Sequence, residues 1–391
     1  MSLIAYYEGS DALREWLEKL VGEQLEFRKL PTANSSNAFT QLPAYVADIL
    51  YLDKPDVIIS GTIDGVHERP MFSIELATCT PQYQHALQRF SRMMASVVGG
   101  CPSAIVIPAR KRENMESEGG SPRMYVRSQA LDYGTVRLMD TFGIPALVFD
   151  WPDSDGILMM EGNDPFPPLN SPSIKHLRAL LAGAKKAFRN IDYISGLWRL
   201  PDVRTLVERT RERAYRDGAP SLDKPGGGTG VAGTTQANLE LVSTDDLLRD
   251  IRTNVPHSAA LLKSAPDFLR KREKSVVFRP TRLMKHAGDP YVGMVGYYDI
   301  AFCRNGRSTR DRMYNLVAWC NGLSISDVQD AMRRTNQEQC PFVEDVNPKN
   351  ILQYSYHLRH GCRETKAKPL RIYSELVDLL VFEDGVIFNV G

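Results

Sequence analysis

Leu13, Trp16, Leu17, Leu20 and Val21 recur at every third or fourth position, which draws one apolar stripe along a helix expected over residues 10–28. Gly9-Ser10-Asp11 supplies capping groups at its start. After the polar stretch Asn34-Ser35-Ser36-Asn37, a second helix is expected over residues 42–52. The period then changes. Residues 56–63 and 71–78 are β-branched or alternating runs, separated by a turn region around Gly65, and read as strands. Residues 81–98 read as a long helix, 103–108 as a short apolar strand, 129–142 as a helix, and 144–149 as another apolar strand stopped by Trp151-Pro152. This order predicts a layered α/β domain with a mixed sheet.

Helical spacing resumes from residue 173 to about 216, with His176, Arg178, Lys185, Lys186 and Arg189 set between apolar positions. Residues 217–238 include Pro225-Gly226-Gly227-Gly228-Thr229-Gly230, the composition of a linker or loop. The expected organisation is a first domain over 1–215, a linker over 216–238 and an α+β domain over 239–391. In the last of these, helices are expected over 243–252 and 324–334, and strand-like runs over 291–302 and 372–388. Glu383-Asp384-Gly385 reads as a hairpin turn. The Tyr- and Gly-rich stretch 288–304 reads as a hairpin facing DNA or a partner, or as a core strand whose glycines permit close packing.

Composition sets limits on this picture. A chain of 391 residues, 43% apolar and 24% charged, suits two globular domains. Its formal net charge is only +1, so a nucleic-acid partner has to be argued from local clusters. The six cysteines form no CxxC pair, and Cys320, Cys340, His357, His360 and Cys362 match no common zinc spacing. No run approaches the ~20 apolar residues of a membrane span. With no signal-peptide pattern at the N-terminus, a cytoplasmic protein is expected.

Two carboxylates carry the candidate chemistry. Pro55 suits a strand entrance, and Asp56 is then the first residue of an apolar strand. In the following strand Ser73, Glu75 and Ala77 share one face. A carboxylate inside such a strand is costly to bury without a partner. If the strands are adjacent, Asp56 and Glu75 converge, and a divalent cation relieves their repulsion. The plain alternatives are a strand-start or turn-capping role for Asp56 and a buried Glu75–Arg89 ion pair. Pro55-Asp56, a turn, the Glu75 strand, a helix and an apolar strand together resemble the core of PD-(D/E)xK nucleases, over roughly a quarter to a third of the chain.

That resemblance implies a restriction-endonuclease-like fold, with a mixed sheet flanked by helices. It also implies Mg²⁺ (or Mn²⁺) held by Asp56 and Glu75, DNA as substrate, a homo-oligomer such as a dimer, and a role in restriction or anti-phage defence. The sequence departs from the family where a lysine is expected, because Ala77 stands there. The positive group then comes from the next helix, where Gln84 and Gln88, and His85, Arg89 and Arg92, lie at helical spacing. Alternatively it comes from Lys54 or Lys111, or the site is inactive and the fold only binds nucleic acid or a protein. A metal-dependent hydrolase of another fold is a third reading. The candidate catalytic set is Asp56, Glu75, Gln84, Gln88 and Arg89, with Asp48 or Glu23 as a further acidic ligand and Asp53 and Asp64 as surface turn residues. Arg110, Lys111, Arg304 and Arg307, from basic clusters that also include Arg270-Lys271-Arg272, are the candidate nucleic-acid contacts.

Overall fold

The computed structural model describes residues 2–31, 42–63, 67–81, 83–113, 122–190, 192–220, 222, 239–256, 258–279, 292–320, 322–334, 372–373 and 375–388. The expected linker (but for its first residues and residue 222) and the Cys340–His357–His360–Cys362 set lie outside these residues, as do Gly65 and Asp64.

The first half runs β1 (Ser2–Tyr7), α1 (Asp11–Val21), β2 (Glu26–Lys29), α2 (Ala44–Leu52), β3 (Val57–Thr62), β4 (Glu68–Leu76), α3 (Tyr83–Val98), β5 (Ser103–Pro108), β6 (Arg110–Glu113), β7 (Arg123–Val126), α4 (Gln129–Phe142), β8 (Ala146–Trp151), β9 (Asp153–Ser154), β10 (Ile157–Leu158), α5 (Pro172–Phe188), α6 (Tyr193–Trp198) and α7 (Pro201–Tyr215). Six strands form one mixed sheet in the order β2-β1-β3-β4-β5-β8. β3 runs antiparallel to both of its neighbours, β1 and β4, and β4, β5 and β8 run parallel through the crossover helices α3 and α4. β5 is buried along its whole length, as a parallel strand covered on both faces must be. α3 and α4 pack together on one side, while α5 touches α1, β4 and β8 on the other.

Several expected elements differ. The stripe expected over 10–28 ends at Val21, because Gly22 takes the left-handed conformation (φ 77°) and its N–H closes the last turn on Glu18 O. The residues beyond it form β2, an edge strand, and β1 carried too little alternation to be recognised. The helical stretch 173–216 is three helices, with Pro172 and Pro201 each in a first turn.

The second half is β11 (Leu239–Ser243), α8 (Thr244–Asn254), short helical turns, β12 (Lys274–Phe278), α9 (Val292–Tyr298) running into a π-turn at Asp299–Cys303, β13 (Asn315–Trp319), α10 (Ile325–Arg334), β14 (Leu379–Val381) and β15 (Val386–Phe388). Its five strands form a second sheet in the order β11-β12-β13-β14-β15. Apart from the edge strand β11 and the first residue of β12, the sheet is buried on both faces. Val276, Phe278, Leu316, Ala318 and Leu380 join the core of the first half, while Val277, Val317, Trp319, Leu379 and Val381 form a separate cluster with Leu247 and Ile251 of α8. The turn at residues 383–385 closes the β14–β15 hairpin as expected. Residues 372–376, expected as strand, are helical where described.

The strand expected over 291–302 is instead α9 and its π-turn. Its glycines serve helix-on-helix contact. A Cβ on Gly293 would lie 2.2 Å from Gln88 O, and one on Gly296 would lie 2.9 Å from Met94 Sδ. Tyr297 wedges between Phe90 of α3 and Gly134 of α4. The second half therefore holds α3 in place from outside. No described helix is long and apolar enough to cross a membrane.

Candidate functional site

Val57 pairs with Ile74, so Asp56 lies opposite Glu75 across the antiparallel β3–β4 pair, and both side chains leave the same face. Each carboxylate is tied to the other strand. Leu76 N donates to Asp56 Oδ2 at 2.8 Å, and Asp56 N donates to Glu75 Oε2 at 3.2 Å. α3 crosses this face and presents Arg89 and Arg92, three residues apart on one side of the helix. Arg92 Nη1 lies 2.6 Å from Glu75 Oε1 and 3.2 Å from Asp56 Oδ1, and Arg89 Nη1 lies 3.1 Å from the same Glu75 oxygen. One nitrogen of Arg92 thus bridges both carboxylates.

Burial decides the electrostatics. The Glu75 side chain is 1% exposed against 22% for Asp56. Burial first, and then the Asp56 charge, push the Glu75 carboxyl up to about 8 against the pull of Arg92 and Arg89. Burial also raises the Asp56 carboxyl, with Arg92 opposing. For Arg92, burial disfavours the charge, but Glu75, Asp53 and Asp56 outweigh it and hold the guanidinium protonated.

A stability effect follows. Folded Glu75 binds its proton more tightly than the unfolded chain does. Its contribution is full below the ordinary carboxylate range and is lost as pH rises through about 8. Urea midpoints of the wild type are expected to fall between about pH 5 and 8 relative to those of Glu75→Gln. Parallel pH profiles for the two proteins would show that Glu75 titrates elsewhere.

Asp53, expected at a surface turn, is buried. It caps Lys54 N at 2.7 Å, takes the Ser91 hydroxyl, and adds a third negative charge acting on Arg92. The sequence signal for it was present but ambiguous, because an aspartate just after a helix reads equally as solvent-facing. Arg92 is the more consequential omission from the candidate set, and its i+3 spacing from Arg89 is the signal that finds it. Gln88 contributes its backbone to the α9 contact, and no hydrogen bond of the described residues joins its side chain to the carboxylates. The side chain of Gln84 lies outside the described residues. Glu23 pairs with Lys185 at 3.2 Å, and Asp48 lines a cavity of about 700 Å³ with Tyr45, Met94 and Val98, so neither joins the pair.

Ala77 is buried, its N–H bonded to Val106 O at 2.9 Å, and offers no charge. Lys54 binds Glu8 at 2.7 Å and the carbonyl of Pro31 at 3.4 Å, beside β1 and β2. Lys111 approaches the loop that follows Glu75. Its Nζ donates to Thr78 O at 3.0 Å and lies 3.2 Å from Glu113, which also receives the Thr80 hydroxyl. That hydroxyl first, with Lys111 and His85 adding charge against burial, lowers the Glu113 carboxyl.

The expected DNA contacts divide in two. Arg110 is exposed on β6, paired with Asp153 at 2.8 Å, and with Lys111 sits at the carboxylate end of the sheet. Arg304 is buried, 2.8 Å from Asp299, and donates to Arg307 O; it cannot reach DNA as expected from the sequence. Arg307 is exposed but donates to Phe142 O at 2.7 Å, closing the C-terminus of α4. That terminus leads into the start of β8, so Arg307 lies at the end of the parallel strands away from Glu75. The arginine run there is legible as charge but not as burial, and Arg272 is likewise buried against Asp378 at 3.0 Å.

The described residues contain no group of three His, Cys, Asp or Glu side chains able to hold a metal. Two carboxylates are nonetheless a fitting Mg²⁺ donor set, because that ion typically takes one or two carboxylates and completes its shell with water and substrate phosphate. The single cationic nitrogen shared by Asp56 and Glu75 marks where such an ion fits. Comparison with protein-family models, curated proteins and solved structures finds no match to this chain. Fold and site together define a mixed α/β protein with a buried carboxylate–arginine cluster at one end of its main sheet.

Proposed function

We propose that the protein is a Mg²⁺-dependent DNA endonuclease that hydrolyses phosphodiester bonds, with the PD-(D/E)xK type of core. The observation that carries this reading is the opposition of Asp56 and Glu75 on neighbouring antiparallel strands, with α3 and the parallel strand β5 following in the order the resemblance requires. Asp56 and Glu75 would hold Mg²⁺, or Mn²⁺ in its place. When bound, the ion would supply an activated water and neutralise charge on the phosphate. Arg89, about one-third exposed, presents a guanidinium to a phosphate oxygen approaching the pair. Arg110 and Lys111 extend the positive edge along the duplex. A homodimer and a role in restriction or anti-phage defence rest on the resemblance alone, and a cytoplasmic setting rests on the sequence pattern alone.

A second reading, a nuclease-type fold that binds nucleic acid or a protein without cleaving, is favoured by the buried Ala77 and by Arg92 sealing the carboxylates. Plasmid cleavage in Mg²⁺ or Mn²⁺ separates the two. Asp56→Ala and Glu75→Ala are each expected to lower the rate by more than about a hundredfold, because loss of a ligand removes several kcal/mol of charge stabilisation. DNA retention with no cleavage by the wild type across varied substrates would select the second reading.

A further inference from the structure

We infer that Arg92 is an internal stand-in for the divalent cation: its guanidinium occupies the space between Asp56 and Glu75 and must be expelled for the ion to bind, which makes Arg92 available to the substrate phosphate. This rests on the metal-site reading above. The geometry is specific. Nη1 alone reaches Glu75 Oε1 at 2.6 Å and Asp56 Oδ1 at 3.2 Å. A dication bound to those two oxygens would place two like charges within a few ångströms of each other in a poorly hydrated space, so both cannot stay. Arg89 does not block the site in the same way, because of the two carboxylates it pairs with Glu75 and not with Asp56, and it is the more exposed of the two arginines.

Expulsion leaves Arg92 a partner. Asp53 is fixed by Lys54 N and the Ser91 hydroxyl, one residue before Arg92, and its charge already acts on that guanidinium. Arg92 thus keeps one carboxylate while turning its remaining donors outward. A guanidinium presents five donors in a planar fork that matches phosphate oxygens. Without the ion the site is neutralised from within and Arg92 has little to offer DNA. With the ion, both the metal and a freed arginine face the phosphate. Metal and DNA then bind cooperatively through one side chain.

The test measures Mn²⁺ binding to the full chain by the electron spin resonance of the free ion, without DNA or turnover. Arg92→Gln is expected to bind Mn²⁺ about tenfold or more tightly than the wild type, since a competing positive charge is gone. Its thermal midpoint is expected to rise on adding Mn²⁺ by more than that of the wild type, because the ion replaces the lost counter-charge. A variant that folds only in Mn²⁺ would support the inference equally. Wild-type binding with no gain in Arg92→Gln would overturn the exchange and leave the metal site standing. No Mn²⁺ binding by either protein would overturn both. A second measurement keeps the wild type intact. In arginine-¹⁵N-labelled protein, Mg²⁺ is expected to shift the Arg92 side-chain signal, assigned by its loss in Arg92→Lys. An unmoved signal under Mg²⁺ that binds would also overturn the exchange.

Discussion

Gly293→Ala is expected to cost about 3 kcal/mol or more, at or beyond the upper end of ordinary overpacking. The added Cβ would meet Gln88 O at 2.2 Å and Gln88 C and Cα at 2.8 Å, all backbone atoms of α3 that no rotamer change can move aside. Either α9 separates from α3 or α3 shifts on the sheet. The second outcome moves Arg89 and Arg92 relative to Glu75, so metal affinity should change together with stability. Chemical denaturation beside the Mn²⁺ titration measures both. Gly100→Ala is the control. Its φ of 80° is strained for alanine, but nothing lies within 4 Å of the new Cβ, so only about 1–2 kcal/mol of local strain is expected. Equal losses at the two positions would show that the α3–α9 contact is not as tight as described.

Arg312→Leu is the second large effect. Arg312 is fully buried, with Nε 2.8 Å from Asp299 Oδ1, Nη1 3.0 Å from Asp378 Oδ2, and Nη2 donating to Leu376 O. Arg304 shares Asp299 from the other side, and Arg272 shares Asp378. Asp378 also accepts from Leu316 N at 2.9 Å, so the network fixes the start of β13. Removing the central arginine leaves two buried aspartates short of a counter-charge, which typically costs about 3–5 kcal/mol. Adding Asp299→Asn to the variant is expected to recover part of the loss, because one uncompensated charge is gone. A single substitution costing less than about 1 kcal/mol would mean that water reaches these groups.

What could be read from the sequence follows physical lines. α4 was expected over residues 129–142 and forms over Gln129–Phe142, since its stripe, its Ser128 cap and its closing Gly143 agree. The β3–β4 pair and the facing of Asp56 and Glu75 are legible because both runs are β-branched or alternating and the sequence around Gly65 reads as a turn between them. α9 reads as a strand in the sequence. A helix buried on all sides loses the polar face that gives helical periodicity, and Val, Tyr and Gly then look β-like. Burial of Arg304, Arg272 and Asp53 could not be decided from the sequence, because each draws in partners distant along the chain: Arg137 donates to Arg304 O at 2.7 Å, Asp378 pairs with Arg272, and Ser91 donates to Asp53. A run of arginines looks the same in sequence whether it faces DNA or an internal aspartate.

The α3–α9 contact bears on how the chain divides. A proteolytic nick or a deliberate break between residues 222 and 239 would leave two pieces, each with one side of a closely fitted helical seam. The N-terminal piece would carry Asp56, Glu75, Arg89 and Arg92 but would bare the flank of α3 that Tyr297 and the α9 glycines cover. It should be poorly soluble alone and should regain its fold when the second piece is supplied in trans. The break point is therefore a natural place to split the protein into a reporter whose halves signal only on meeting.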